Sequence, residues 1–187
     1  TGAFTLQHEL TLRQTPEGIR MFQNPIKEYE TLRIDAQKTV IDAVLTPDGE
    51  NPLADFSGDV YEICATFTPT QDTTQVGFKL RCGGNEQTLV YYDLRDGRLH
   101  IDRTNSGAVP AGNFAGVYSQ QTSRTQDGKI SMRIFVDWSS VDVFGNDGQT
   151  MGTALIYPQF SSTGASVYTQ GGNAHVKAEI YPLSSIW

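Results

Sequence analysis

Pairs of acidic residues are the first candidates for chemistry in this sequence. A glycosidase needs two carboxylates about 5 to 9.5 Å apart, and Asp137 with Asp142, or Asp93 with Asp102, could form such a pair. Asp137 and Asp142, however, flank a tight turn at Trp138, where acidic side chains commonly fix a loop by accepting backbone hydrogen bonds. We therefore expect these carboxylates to be structural.

The other reactive residue types lack a catalytic or ligand-binding pattern. His8, His100 and His175 lie far apart in the sequence, without the spacing of a metal site. No G-x-S-x-G nucleophile motif occurs, and no glycine motif has the form of a phosphate-binding loop. We expect no metal, no cofactor and no catalytic residue.

The two cysteines, Cys64 and Cys82, are too few for a disulfide scaffold and have no C-x-x-C spacing. They are either buried thiols or one disulfide. If residues 61–67 and 76–82 form a hairpin, Cys64 lies opposite Lys79, with Cys82 on the other face.

Length and charge limit the class of protein. The chain has 187 residues, 38% of them apolar, which suffices for one domain with a sizeable core. Its net charge of -7 argues against nucleic-acid or anionic-membrane partners, and no apolar run is long enough to span a membrane.

Short runs of alternating apolar and polar residues, separated by turn residues, predict an all-β fold: a two-sheet antiparallel sandwich of the jelly-roll or concanavalin-like kind. One short N-terminal helix is predicted at Pro25–Leu32. Residues 105–126 are predicted to be a long loop with at most one short strand. The predicted strands are Phe4–Leu12, Ile19–Gln23, Val40–Leu45, Asp59–Phe67, Val76–Cys82, Gln87–Asp93, Arg98–Arg103, Lys129–Asp137, Ser140–Phe144, Thr153–Tyr157, Ala165–Thr169 and His175–Tyr181.

Two turns suggest how strands pair. A two-residue turn at Asp96-Gly97 would set Tyr92 opposite Ile101, Tyr91 opposite Asp102 and Asp93 opposite His100. Residues 146–148, Asn-Asp-Gly, would close a second hairpin.

A polar sheet face is the best candidate for a binding site. In a 61–82 hairpin, Glu62 lies opposite Arg81 on the outward face. Tyr91 and Asp102 follow on neighbouring strands, and Tyr168 on a later one. A guanidinium and carboxylates can bind vicinal hydroxyls, and an aromatic ring can cover the apolar side of a sugar. The alternative is a solvated sheet face with a structural salt bridge.

Five stretches of the sequence resemble the C-terminal β-sandwich of glycoside hydrolase family 32, which comprises invertases, inulinases and levanases. They are Glu9–Leu12, Gly18–Arg20, Gln23–Arg33, Arg133–Gly148 and Ile180–Trp187. Two positions depart from this family's pattern: Trp138, where relatives usually have Arg, and the Gln-His pair before Glu9. Trp138 is either a stacking platform or an anchor for a partner.

The sequence has no internal repeat and no domain linker, so we expect a single sandwich domain over residues 1–187, with residues 1–38 as a strand-and-helix flap. Members of the family carry their catalytic carboxylates on an N-terminal five-bladed β-propeller. The family's catalytic motifs have no counterpart in these residues. We therefore expect no enzymatic activity from this chain alone, and a place within a fructan hydrolase whose propeller is absent here.

Two functions are consistent with this resemblance. The fold is also similar to fructan-binding modules of carbohydrate-binding family 66, which places Glu62, Arg81 and Tyr168 at matching positions, so the chain would bind levan or inulin. Alternatively, it stabilises or dimerises the propeller without binding sugar. The family's polymeric substrates imply secretion. Hydrolysis of fructans by the chain alone conflicts with the missing motifs.

Overall fold

A computed structural model describes residues 5–185, in which thirteen β-strands and two short 3-10 helices occur. The helices are Lys27–Leu32 and Asp35–Gln37, and neither is long and apolar enough to cross a membrane. The strands are β1 His8–Thr15, β2 Gly18–Pro25, β3 Thr39–Leu45, β4 Tyr61–Pro69, β5 Gln75–Gly83, β6 Glu86–Asp93, β7 Arg98–Asn105, β8 Val117–Gln121, β9 Ile130–Val136, β10 Ser140–Gly145, β11 Thr150–Leu155, β12 Gly164–Gln170 and β13 Ala174–Pro182.

Two antiparallel sheets form a sandwich, which confirms the predicted fold class. The six-stranded sheet has the order β11-β10-β9-β4-β13-β3, and the five-stranded sheet the order β12-β5-β6-β7-β8. The predicted helix is a 3-10 helix. Phe4, where the first strand was predicted to begin, and residues 186–187 of the last family-like stretch lie outside the described residues.

The core lies between the two sheets and is built by alternation along each strand. Ile63 and Phe67 of β4 are 0% exposed, as are Phe78 and Leu80 of β5. Phe67 and Phe78 meet edge-to-face across the core, with ring centroids 5.6 Å apart. Burying each of these side chains contributes about 1.5–3 kcal/mol.

The predicted hairpin between β4 and β5 is wrong. β4 pairs with β13 and β9, whereas β5 pairs with β12 and β6, so the two strands lie in opposite sheets. The link between them crosses the edge of the sandwich. Alternation shows which side chains face the core, but it cannot distinguish a hairpin from a crossover, because both bury the same residues. The predicted pairings of Glu62 with Arg81 and of Cys64 with Lys79 are consequently wrong.

The β6–β7 hairpin exists, but its register differs by two residues from the prediction. Tyr92 pairs with Leu99, Tyr91 with His100, and Asp93 with Arg98. The loop has four residues because Gly97 N–H donates to Asp93 O over 3.0 Å and the Asp93 carboxylate accepts Arg95 N–H over 2.9 Å. A shift of two preserves the predicted faces of the strands.

The other predicted turn is confirmed. Asn146, Asp147 and Gly148 join β10 to β11, all three with positive φ. Within the predicted loop 105–126, β8 pairs with β7 and completes the five-stranded sheet.

The N-terminal segment forms a β1–β2 hairpin beside the sandwich, followed by the 3-10 helix Lys27–Leu32. Asn24 Nδ2 donates to Asp147 O over 2.9 Å, and Gln23 N donates to Gly148 O over 2.8 Å. After the helix, Ile34 N donates to Pro182 O over 2.9 Å. These contacts tie both ends of the segment to the sandwich.

Candidate functional site

Glu62 lies on β4 with its side chain fully buried on the outer side of the six-stranded sheet, under the N-terminal segment. Arg33 Nε and Nη2 donate to its carboxylate over 2.7 and 2.9 Å, and Arg133 Nε donates to Oε1. Burial alone would raise the pKa of Glu62, but the hydrogen bonds and charges of the two arginines hold it below its usual value. Glu62 is therefore a buried anion between two cations.

Arg81 lies in the other sheet and has different partners. It has a φ of 51° at an irregularity in the β5–β6 pairing and is 1% exposed. Its Nε donates to Ser162 O over 2.8 Å, and its Nη1 donates to Asp59 O over 3.1 Å and Asp137 O over 3.4 Å. The guanidinium thus joins three loops at one end of the sandwich. The structure does not bring Arg81 to Glu62.

The remaining predicted site residues, Tyr91, Tyr168 and Asp102, lie on the outer side of the five-stranded sheet. We call these three the tyrosine face. In the sheet register, Tyr168 of β12 pairs with Gly77 of β5, which pairs with Tyr91 of β6. Glycine is needed between them because a Cβ at position 77 would lie 2.6 Å from the Tyr91 Cα. The two tyrosines therefore stand on either side of a position without a side chain.

The surroundings of the tyrosine face combine aromatic rings with charged groups. Tyr91 stacks on His100, with centroids 4.7 Å apart and planes at 8°. Lys79 Nζ lies 5.8 Å from the centroid of the Tyr168 ring. Burial, followed by the nearby Tyr91 and Asp102, raises the pKa of Tyr168. Burial also raises the pKa of Tyr91. Both phenols are therefore neutral donors, suited to hydrogen bonding with hydroxyl groups.

Sequence reasoning did not identify His100 as the stacking partner of Tyr91. It placed Asp93 opposite His100, and the correct register places Tyr91 there instead. The residue type at position 93 could have indicated the correct register. An Asp side chain often accepts a hydrogen bond from the N–H two residues later, as Asp93 does from Arg95, and this turn lengthens the loop to four residues.

A second surface is apolar and belongs to the β1–β2 hairpin. Leu12 pairs with Met21 and Gln14 with Ile19, so alternation puts Leu10, Leu12, Ile19 and Met21 on one side of the hairpin. Their exposed fractions are 61%, 75%, 64% and 50%. We call these four residues the hairpin face. The opposite side, which includes Phe22 and Arg13, is turned toward the sandwich, where Arg13 forms an ion pair with Asp147.

The acidic pairs considered in the sequence have structural partners. Asp137 accepts the Trp138 N–H over 2.7 Å, and Thr153 Oγ1 donates to Asp142. Burial raises the pKa of Asp142. Asp93 is bound by Arg95 and Gln75. No group of three His, Cys, Asp or Glu residues within 5–185 could hold a metal ion.

Both cysteines are free thiols. Burial, and then the charge of Glu62, raises the pKa of Cys64 to about 12. Burial also raises the pKa of Cys82. Neither is an activated nucleophile.

Comparison with known proteins shows which family and which enzymes this chain resembles. Residues 28–182 match the family described as "Glycosyl hydrolases family 32 C terminal". The chain is 40% identical over 190 residues to a levanase of Bacillus subtilis, covering all of this chain and 28% of that protein. It is 38% identical over 187 residues to a fructan beta-fructosidase of Streptococcus mutans serotype c, covering all of this chain and 13% of that protein.

A solved structure has the same architecture. The crystal structure of an exo-inulinase from Aspergillus awamori superposes with a TM-score of 0.86 at 27% identity, over 96% of this chain and 35% of that one. The chain thus spans well under half the length of each of these proteins. Most of each of these proteins therefore lies outside the region that matches this chain.

Proposed function

The chain belongs to glycoside hydrolase family 32, whose C-terminal domain it represents, and we propose that it docks against the catalytic domain of a fructan hydrolase through the hairpin face. The observation that carries this proposal is the row of four apolar side chains, each at least half exposed, on one side of β1–β2. Apolar side chains grouped in this way mark interaction sites more often than scattered ones do.

The occupant of the hairpin face is the part of such an enzyme that this chain does not match. In the Bacillus subtilis levanase the match covers 28% of the protein, so a much larger segment remains. An isolated two-stranded hairpin is marginally stable in water. Burial of the hairpin face against a neighbouring domain would therefore stabilise the β1–β2 hairpin.

The Glu62 cluster supports docking because it fixes the segment that carries the hairpin. Arg33, directly after the 3-10 helix, is held by Glu62, and its guanidinium lies 4.4 Å from the centroid of the Tyr181 ring. Tyr29 packs edge-to-face on Phe135, with centroids 5.8 Å apart. The hairpin is thereby held in one orientation relative to the sandwich, as a docking element requires.

A chimera tests this proposal. The matching region of the Bacillus subtilis levanase is replaced by this chain, with and without the double substitution Leu12→Ser and Met21→Ser. Differential scanning calorimetry should show one cooperative transition for the wild-type chimera and two for the double variant. The control is Val44→Ser, which changes a 65% exposed apolar residue on β3. Two transitions in the wild-type chimera, or no effect of the double variant, would contradict docking.

The tyrosine face favours a second candidate function, the binding of fructose-containing chains such as levan or inulin. Tyr91 and Tyr168 present aromatic surface on either side of Gly77, and Asp102 adds a carboxylate acceptor. Glu62 and Arg81, which the sequence placed in this site, are buried and have protein partners. We propose that they support the framework, while Tyr91, Tyr168 and Asp102 contact sugar.

Calorimetric titration of the chain with levan and inulin tests this second function. Tyr168→Ala and Tyr91→Ala should each weaken binding at least tenfold without changing the melting temperature by more than a few degrees. Tyr118→Ala, on β8, is the control because it removes a tyrosine ring from the opposite side of the same sheet, where Tyr118 pairs with the inward-facing Ile101. No heat with either polymer would leave docking as the function.

We also propose that the chain acts outside the cell, since a relative that it matches is named an extracellular exo-inulinase of Aspergillus awamori. Assembly into a homodimer stays a prediction from the sequence.

A further inference from the structure

A cleft of about 390 Å³ opens at one end of the five-stranded sheet. It adjoins the tyrosine face at one point, where its lining residue Thr104 donates its N–H to Asp102 Oδ1 over 2.8 Å. Three segments form it: the β5–β6 turn at residues 83–86, the end of β7 and the residues after it at 104–109, and the loop at 159–162. We call it the loop cleft. Its volume is within the usual range for small-ligand sites, about 300–1,000 Å³.

The described side chains that line the loop cleft are mostly polar, and only one of them carries a charge. Side-chain amides and hydroxyls predominate, and Glu86 is the one ionisable side chain among the described lining residues. Without a cation, such a lining does not suit phosphate or another anion. Amides, hydroxyls and a single carboxylate suit a neutral ligand with many hydroxyl groups. The lining side chains that carry these groups are Asn85, Glu86, Thr104, Asn105, Gln159, Ser161 and Ser162.

Hydrogen bonds hold the walls of the loop cleft in place. Glu86 Oε1 accepts from both Gln159 N and Ser162 Oγ, which joins the β5–β6 turn to the 159–162 loop. Behind this loop, the buried Arg81 donates to Ser162 O. Gly83 allows the close approach, because a Cβ there would lie 2.4 Å from Ser162 Oγ. The cleft is therefore organised before any ligand binds, which lowers the entropic cost of binding.

An exposed aromatic pair stands beside the loop cleft. Phe160, between the lining residues Gln159 and Ser161, is 82% exposed, and Trp138 is 57% exposed. Their rings are perpendicular, with centroids 6.0 Å apart, and Trp138 Nε1 donates to Asp59 Oδ2 over 3.1 Å. Asp59 and Asp137 are the residues whose carbonyls Arg81 holds. The guanidinium that shapes the cleft thus also fixes the turn that carries Trp138.

We propose that the loop cleft is a second carbohydrate site, which takes a neutral oligosaccharide with one sugar in the cleft and the C–H face of a neighbouring sugar on Phe160. Glu86, Asn85 and Asn105 would bind hydroxyl groups. The choice of a fructose oligosaccharide as ligand rests on the proposed function, whereas the site itself rests on the lining and the aromatic pair.

Titration of the ¹⁵N-labelled chain with 1-kestose, followed by two-dimensional NMR, tests the loop cleft. We expect saturable shifts at the backbone amides of residues 83–86, 105–107 and 159–162. Thr104 is left out because its N–H donates to Asp102 of the tyrosine face. Phe160→Ala should weaken binding at least fivefold without changing the fold, since its ring is largely exposed. Asn85→Ala should have a similar effect. Val44→Ala, which also truncates an exposed apolar side chain, should leave the affinity unchanged.

The positions of the shifts separate this inference from the proposed function. Shifts confined to Tyr91, Tyr168 and their neighbours would overturn the loop cleft and support the tyrosine face. Shifts confined to the cleft would do the reverse. If 1-kestose gives no shifts at the cleft but maltotriose does, a carbohydrate site exists and its assignment to fructose is wrong. No shifts at the cleft with either sugar would overturn the inference.

Discussion

At the scale of single residues, two buried charged side chains, Glu62 and Arg81, hold different segments of the molecule. Glu62 accepts from Arg33 and Arg133 on the outer side of one sheet, while Arg81 donates to loop carbonyls at the end of the other. Burying a charged group is costly unless hydrogen bonds and opposite charges within the protein compensate it. Removing either side chain should therefore destabilise the segments that it contacts more than the strand that carries it.

Glu62→Gln should lower the free energy of unfolding by about 3 kcal/mol, because it leaves two guanidinium groups around a neutral amide. Urea denaturation followed by fluorescence measures this. Glu30→Gln is the matched control: Glu30 lies 3.6 Å from Arg133 and 4.0 Å from Arg33 but is 49% exposed. Its loss should be below about 1 kcal/mol. Equal effects of the two substitutions would contradict the role of burial.

The pKa of Glu62 also predicts how stability depends on pH. The folded-state pKa lies below the unfolded value of about 4.3. The stabilisation is therefore complete above the unfolded pKa and is lost as the pH falls through the folded one. Between about pH 6 and pH 3, the melting temperature of the wild type should fall more than that of Glu62→Gln. Parallel curves would refute this prediction.

The thiols give another residue-scale prediction. In denaturant, a chromogenic disulfide reagent should titrate two thiols per chain, since Cys64 and Cys82 are both free. In the native chain at pH 8, both should react much more slowly than a small thiol, because burial raises each pKa. Absence of titratable thiols in denaturant without reductant would indicate a disulfide.

At the scale of elements, the close pairing of β5 with β6 depends on one glycine. Gly77→Ala would place a Cβ 2.3 Å from the Val90 carbonyl oxygen and 2.6 Å from the Tyr91 Cα. Both atoms belong to the backbone and cannot move alone, so we expect a loss of about 1–3 kcal/mol. Gly112→Ala, with no atom within 4 Å, is the control and should have little effect. Urea denaturation of both variants distinguishes these outcomes.

The elements also show what the sequence could and could not predict. Alternation along β4 and β5 identifies the inward residues Tyr61, Ile63, Phe78 and Leu80, which are all buried, because burial acts on each strand separately. Pairing depends on residues distant in the chain: the partners of β4 are β9 and β13. For this reason the sequence predicted that Tyr91 and Asp102 share one side of their sheet, but it paired them wrongly and misplaced Glu62 and Arg81. The loop cleft escaped prediction because its three walls come together only in the folded chain.

At the scale of the whole molecule, the β1–β2 hairpin should be the least stable part. It pairs only with itself, whereas β4, β9 and β13 lie inside the six-stranded sheet. Hydrogen exchange should therefore be fast in β1–β2, through local opening, and slow in the central strands. In the levanase chimera, the hairpin amides should gain protection. Equal protection throughout the isolated chain would contradict this ranking.

The position of β13 has a consequence for synthesis on the ribosome. This strand, Ala174–Pro182, lies between β4 and β3 in the sheet. Glu62 on β4 therefore cannot pair with Tyr181 until β13 has been synthesised. Contacts of such long separation are slow to form, and here they are physically impossible until the strand leaves the exit tunnel. Until then, β3 and β4 each have an open edge where β13 will pair, the kind of surface that chaperones protect from aggregation.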